Sequence, residues 1–245
     1  MLVVRTKYLA VLVMSVFLWV SCSVGFLGMY ETGKAMPALA PIFRGLSGSP
    51  SASLMFNVDW GEEYLPAILD ILKEKMVKAT FFLTGTWAER NSELAKRIVE
   101  GGHEVGNHGG SHVHIETMSK ENLHIVIRSG EERIFQATGV RPSKLFAPPY
   151  GEWTDNSVAY ALEIGYQTVL WTVDTVDWRE PPPETIWKRA LAGASPGCLV
   201  LMHPTENTTI ALPNIIDGYR EKGLALVTVS ENLTRKPGTV DTPGP

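Results

Sequence analysis

LMFNVDWGEEYLPAILDILKEKMVKATFFLTG, residues 54–85, decides the fold. Its first six residues form a short, mostly apolar run ending on an acid, the pattern of a strand with both faces covered. In YLPAILDILKEKMV the apolar residues return at helical spacing, with Pro66 near the start, where a helix tolerates it. KATFFLTG is again strand-like. Strand, amphipathic helix and strand in about thirty residues make a right-handed crossover unit, so the two strands run parallel.

The same alternation continues downstream. AERNSELAKRIVEGG is helical, HEVGNH a strand, KENLHIVIRSGEERIFQATG a long helix and KLFAPP a strand. DNSVAYALEIGY, ETIWKRALAGA and LPNIIDGYREKG read as helices, and QTVLWTVD, CLVLMHP and LALVTV as strands. This spacing suits an α/β fold: an incomplete, distorted (β/α) barrel of about seven parallel strands rather than an open two-faced sheet.

The flanks read differently. Arg5 and Lys7 precede an uncharged apolar stretch from Tyr8 to Tyr30. That is long enough to cross a bilayer, and the cations before it favour a cytoplasmic N-terminus. Residues 1–30 are therefore expected to be a signal peptide or a membrane anchor, with the rest secreted or held outside the cell membrane on a single span. Residues 31–52 carry Pro, Gly and Ser without periodicity and read as a linker, residues 53–234 as the domain, and 235–245 as a disordered tail. The two cysteines, Cys22 and Cys198, fall in the apolar stretch and in a predicted strand, so no disulfide is expected between them. A formal net charge of −4 without any basic stripe excludes a nucleic-acid partner.

Polar residues stand at or just beyond the strand ends, where a parallel barrel builds its active site. Asp59 closes the first strand, His108 and His112 follow the third, Asp174 and Asp177 the fifth, and His203 closes the sixth. Two histidines four residues apart can face one metal ion, and Asp59 would add a third ligand and a negative charge. His103 reads as a structural histidine with a buried hydrogen bond, and His114 and His124 as surface residues.

In sequence order the blocks FNVDWG (56–61), NHGGSH (107–112), APPYG (147–151), DTVDW (174–178) and LMH (201–203) resemble the polysaccharide deacetylases of carbohydrate esterase family 4, the NodB-homology group. The resemblance runs from about Leu54 to Leu233. It implies metal-dependent hydrolysis of N- or O-acetyl groups on a polysaccharide such as peptidoglycan or a chitin-like glycan. It assigns Asp59, His108 and His112 to a divalent metal, for which zinc is the first choice and cobalt or nickel suit the same donors. His203 maps onto the proton donor, Asp177 onto its orienting partner, and Tyr150, Pro149, Trp178 and Trp153 onto substrate contacts.

Two positions depart from the family pattern. The family has two acids in the first block, the earlier one the catalytic base. Matched with Val58 as an insertion, the base position holds Asn57, which cannot take a proton but can position a water. The Arg that the family places before the two prolines is Ala147, so a charge and its partner are lost together. Asp174, Glu62 and Glu63 are the carboxylates that could replace the base. The alternative to a weakened deacetylase is a glycan-binding protein that retains the metal site.

Overall fold

The computed structural model describes residues 39–46 and 48–234. The predicted N-terminal helix, the start of the linker, Cys22 and the tail lie outside them. No helix among the described residues is long and apolar enough to cross a membrane.

The fold is organised around β1 (Ser51–Val58), every residue of which is buried. It pairs in parallel with β2 (Thr80–Leu83), β7 (Leu199–Met202) and β8 (Ala225–Leu226). Outward from β2 come β3 (Glu104–Asn107), β4 (Leu145–Phe146) and β5 (Gln167–Thr168), and beyond β7 comes β6 (Val173–Asp174). All pairs are parallel, as expected of the barrel. The family likeness and this topology agree on a curled, incomplete (β/α) barrel.

QTVLWTVD, read from sequence as one strand, is two. Gln167–Thr168 pairs at one end of the sheet and Val173–Asp174 at the other, with only residues 169–172 between them. A single extended stretch thus spans the seam where the barrel would close. Residues 40–46, read as the end of a linker, are packed on this seam. Ile42 bridges to Val169 and Arg44 to Cys198.

Alternation along β1 sorts its side chains. Ala52, Leu54, Phe56 and Val58 join the cluster between sheet and helices, while Met55 joins Phe82, Val169 and Leu199 inside the barrel. The outer cluster is completed by α1 (Leu65–Glu74), which buries Leu65, Ile68, Leu69 and Leu72, the helical repeat read from sequence. Each such side chain contributes about 1.5–3 kcal/mol. The short α2 (Gly85–Arg90) and α3 (Ser92–Glu100) follow β2. The longest helix, α4 (Lys120–Thr138), is capped by the Ser119 hydroxyl and ended by Gly139 at φ 76°. Further helices α5 (Asp155–Glu163), α6 (Pro183–Ala192), α7 (Glu206–Glu221) and α8 (Val229–Thr234) complete the described chain.

His103 has the buried hydrogen bond expected of it, with Nδ1 accepting from the Ala79 N–H at 3.2 Å. Burial, and then the Lys78 charge, lower its pKa from 6.5 to about 4. Between those values the unfolded chain binds a proton that the folded chain refuses, so stability falls as pH drops from 6.5 towards 4. His103→Asn keeps an acceptor but cannot titrate. Denaturant unfolding across this window is expected to show a shallower loss for the variant, the difference being of the order of 1–3 kcal/mol by pH 4.

Candidate active site

The C-terminal ends of the strands open into a cavity of about 420 Å³. Asp59 just beyond β1, His108 just beyond β3, Asp174 at the end of β6 and His203 just beyond β7 all line it, with His112, Tyr150 and three tryptophans. Most residues singled out from sequence are thus brought to one face.

The most complete part is built on Asp177, whose side chain is fully buried. Its Oδ1 meets His203 Nδ1 at 2.8 Å, and its Oδ2 accepts from the His203 backbone N–H and the Thr208 hydroxyl, both at 2.6 Å. A buried carboxylate is tolerated only with its lone pairs satisfied, and three donors satisfy these. The pair fixes the proton of neutral His203 on Nδ1 and leaves Nε2 as the nitrogen free to exchange one. Val176, β-branched and at φ 55°, forms the tight turn between Asp174 and Asp177. Such a conformation persists only where its surroundings hold it. Here Asp174 Oδ1 accepts the Val176 N–H at 2.8 Å.

On the other wall, His108 is buried, and its Nδ1 donates to the Ala147 carbonyl at 2.6 Å. Burial pushes its pKa down to about 3, so Nε2 presents a lone pair. The His112 ring lies 5.1 Å from it, centroid to centroid, and burial also lowers the pKa of His112. Both imidazoles therefore suit a metal. The third expected ligand does not join them. Asp59 Oδ1 accepts a 2.6 Å hydrogen bond from Thr84, the residue that also caps α2. The histidine–carboxylate pairs within 4.0 Å among the described residues are His203–Asp177 and His114–Glu152. Ligands sharing one zinc stand only about 3–3.5 Å apart, given bonds of about 2.0–2.2 Å. Among the described residues no three His, Cys, Asp or Glu side chains form a group able to hold a metal ion. Asp59, His108 and His112 all line the cavity, but as placed they do not close into a three-ligand group.

Asn57 lines the cavity but is only 6% exposed, and its Oδ1 is buried without a partner. Ala147 is buried in the barrel-interior cluster. Among the carboxylates named as substitutes for the base, Asp174 lines the cavity but is tied to its own turn. Glu62 accepts from Trp87 Nε1 at 3.2 Å, and neither it nor Glu63 lines the cavity. Tyr150 and Trp178 do line it. Pro149 is buried outside the lining, and Trp153 packs edge-on against Phe43 at 6.1 Å. Sequence reasoning missed Thr84, Thr208 and Trp171. A hydroxyl at the start of the helix that follows a strand, one residue beyond β2 for Thr84 and six beyond β7 for Thr208, was the available signal. His114 is exposed, as expected of a surface residue, and its ring stacks on Tyr150 at 4.0 Å while its Nδ1 meets Glu152 at 2.6 Å. Tyr150, at φ 59°, is held between that ring and His112.

A family model described as polysaccharide deacetylase matches residues 45–169. The chain is 36% identical over 192 residues to a peptidoglycan-N-acetylglucosamine deacetylase of Bacillus cereus, covering 76% of this chain and 70% of that protein. It is 41% identical over 191 residues to the uncharacterized protein YlxY of Bacillus subtilis, covering 78% of this chain but only 60% of that relative. Among solved structures it resembles a CE4 family pseudoenzyme from Bacillus anthracis, with a TM-score of 0.78, 40% identity, and 82% and 71% of the two chains covered. A mutant of that protein described as having restored enzymatic activity matches at the same TM-score and 39% identity, over 82% and 73% of the chains.

Asp177→Asn replaces an acceptor-only group with one that presents a donor to a site already holding three. It is expected to cost about 1–3 kcal/mol in denaturant unfolding, the penalty of an unsatisfied buried polar group. Thr208→Val, which removes one of the three donors, is expected to cost less.

Proposed function

The chain belongs to the polysaccharide deacetylase family, and on that premise we propose that it binds an acetylated cell-wall glycan in this cavity and removes acetyl groups far more slowly than complete relatives do. One observation carries the reading: an intact proton-donor pair, His203–Asp177, faces a cavity in which, among the described residues, no three donors close into a metal-holding group.

Trp60, Trp171 and Trp178 give the cavity apolar faces on which a sugar ring can lie. Once an N- or O-acetyl group is seated, Asp59 accepts a proton from a water whose oxygen attacks the acetyl carbonyl carbon. As the bond from that carbon to the sugar nitrogen or oxygen breaks, protonated His203 gives the leaving atom a proton from Nε2, acetate departs, and Asp177 keeps the imidazole oriented. What this chain supplies poorly is polarisation of the acetyl carbonyl. Peptidoglycan is the substrate favoured here because the Bacillus cereus relative is named as a peptidoglycan-N-acetylglucosamine deacetylase. The apolar N-terminal stretch is proposed to carry the domain outward across the membrane.

The second reading, a glycan-binding protein without turnover, is favoured by the resemblance to the pseudoenzyme. Calorimetric titration with N-acetylglucosamine oligomers and assay of acetate release separate the two. Binding is expected, with release below that of complete relatives by a factor of about 10²–10⁴, what several kcal/mol of lost carbonyl polarisation amounts to. His203→Ala is expected to abolish that release and leave binding within about twofold. Release at the rate of complete relatives would defeat the proposal, as would absence of binding. Binding with release equal to the His203→Ala background would establish the second reading.

A further inference from the structure

We infer that Trp60 occupies the place of the missing metal donor, and that Asp59 stands where the family has its base. The inference rests on the family membership stated above and on the pairing of β1.

An extra residue in a strand leaves a bulge, in which two residues oppose one. β1 has none. Met55, Phe56, Asn57 and Val58 pair one for one with Thr80, Phe81, Phe82 and Leu83, and Ser53 to Phe56 pair one for one with Leu199 to Met202. Val58 is an ordinary strand residue, packed outward like Phe56 and Leu54. The two neighbouring acids of the family's first block therefore fall on Asp59 and Trp60, directly before Gly61. Asn57 lies one pleat deeper, with its oxygen out of contact with solvent.

The loop leaves little freedom at these positions. Gly61 has φ 84°, and a Cβ there would stand 2.1 Å from the Pro204 carbonyl oxygen, so the turn is pinned against the segment after β7. This sets the Trp60 indole parallel to the His203 ring, 3° apart in plane and 6.0 Å between centroids, in the same cavity lining as His108 and His112. An indole offers no lone pair to a metal. Asp59, held by Thr84, makes no contact within 4.0 Å with the nitrogens of either imidazole, a placement that suits a group taking a proton from water. One substitution, in a side chain that is 43% exposed, thus accounts for the unfinished donor set.

The experiment measures zinc binding by the full chain, by metal analysis and by competition with a chromophoric chelator, for the wild type, Trp60→Asp, Asn57→Asp and Trp60→Asp with His112→Ala. Trp60→Asp is expected to bind one zinc per chain and about a hundredfold more tightly than wild type, since even outer-shell changes at metal sites shift affinity by about 10–100-fold. Asn57→Asp is expected to bind like wild type, and His112→Ala to remove what Trp60→Asp gains. A wild type that already binds one zinc as tightly as Trp60→Asp overturns the inference. So does a folded Trp60→Asp protein with no gain, or a gain on Asn57→Asp instead. None of these readings depends on glycan binding or acetate release by the wild type, so failure of the proposed function would show separately.

Discussion

Everything at the site depends on the two-residue period of β1. A strand paired on both sides and covered on both faces has no freedom to twist a residue out of turn. Even-numbered side chains must go to the helices and odd-numbered ones to the barrel interior. That places Ser51, Ser53, Met55 and Asn57 successively higher along the interior, with Asp59 emerging just past the last pair. Height along this column decides what each residue can do. Asn57 meets the cavity from its floor with little exposed surface, whereas Asp59, one pleat above, stands at its wall.

The two walls of the cavity contrast in how fully their polar groups are used. On the β7 side the Asp177 carboxylate, the His203 imidazole and the Thr208 hydroxyl form a network in which both carboxylate oxygens are bonded and only His203 Nε2 is left free toward the cavity. On the β3 side the His108 tautomer is fixed by a backbone carbonyl, but among the described residues no third donor joins the two imidazoles in a closed group. Low dielectric rewards complete networks and penalises partial ones. The low pKa of His108 expresses this: the ring remains neutral because nothing near it repays the burial of a charge.

The alternation of strands and helices, the parallel barrel and the gathering of Asp59, His108, His112, Asp174, Asp177 and His203 at one end were all legible in the sequence, because short apolar strands and strand-end polar residues leave strong local patterns. What escaped was set by pairing at a distance. QTVLWTVD has the look of one strand, and only the curl of the sheet splits it between two neighbours. Ile42 and Arg44 sit among Pro and Gly and show no periodicity, since a single bridge each is enough to fix them. The placing of Val58 could not be judged from the blocks alone, because a sequence match permits an insertion that a regular ladder does not. Thr84 and Thr208 act through one hydroxyl apiece, a signal indistinguishable in sequence from an ordinary helix cap.

The seam also governs how the molecule meets its neighbours. Unpaired strand edges are templates for another chain, and sheet proteins must disarm them. Here the stretch that leaves one end of the sheet enters the other within four residues, both end strands are two residues long, and Ile42 consumes backbone groups beside the first. Neither end offers a run of free amides and carbonyls. Copies of this domain crowded together are therefore poor seeds for one another, and self-association through sheet extension is closed to it.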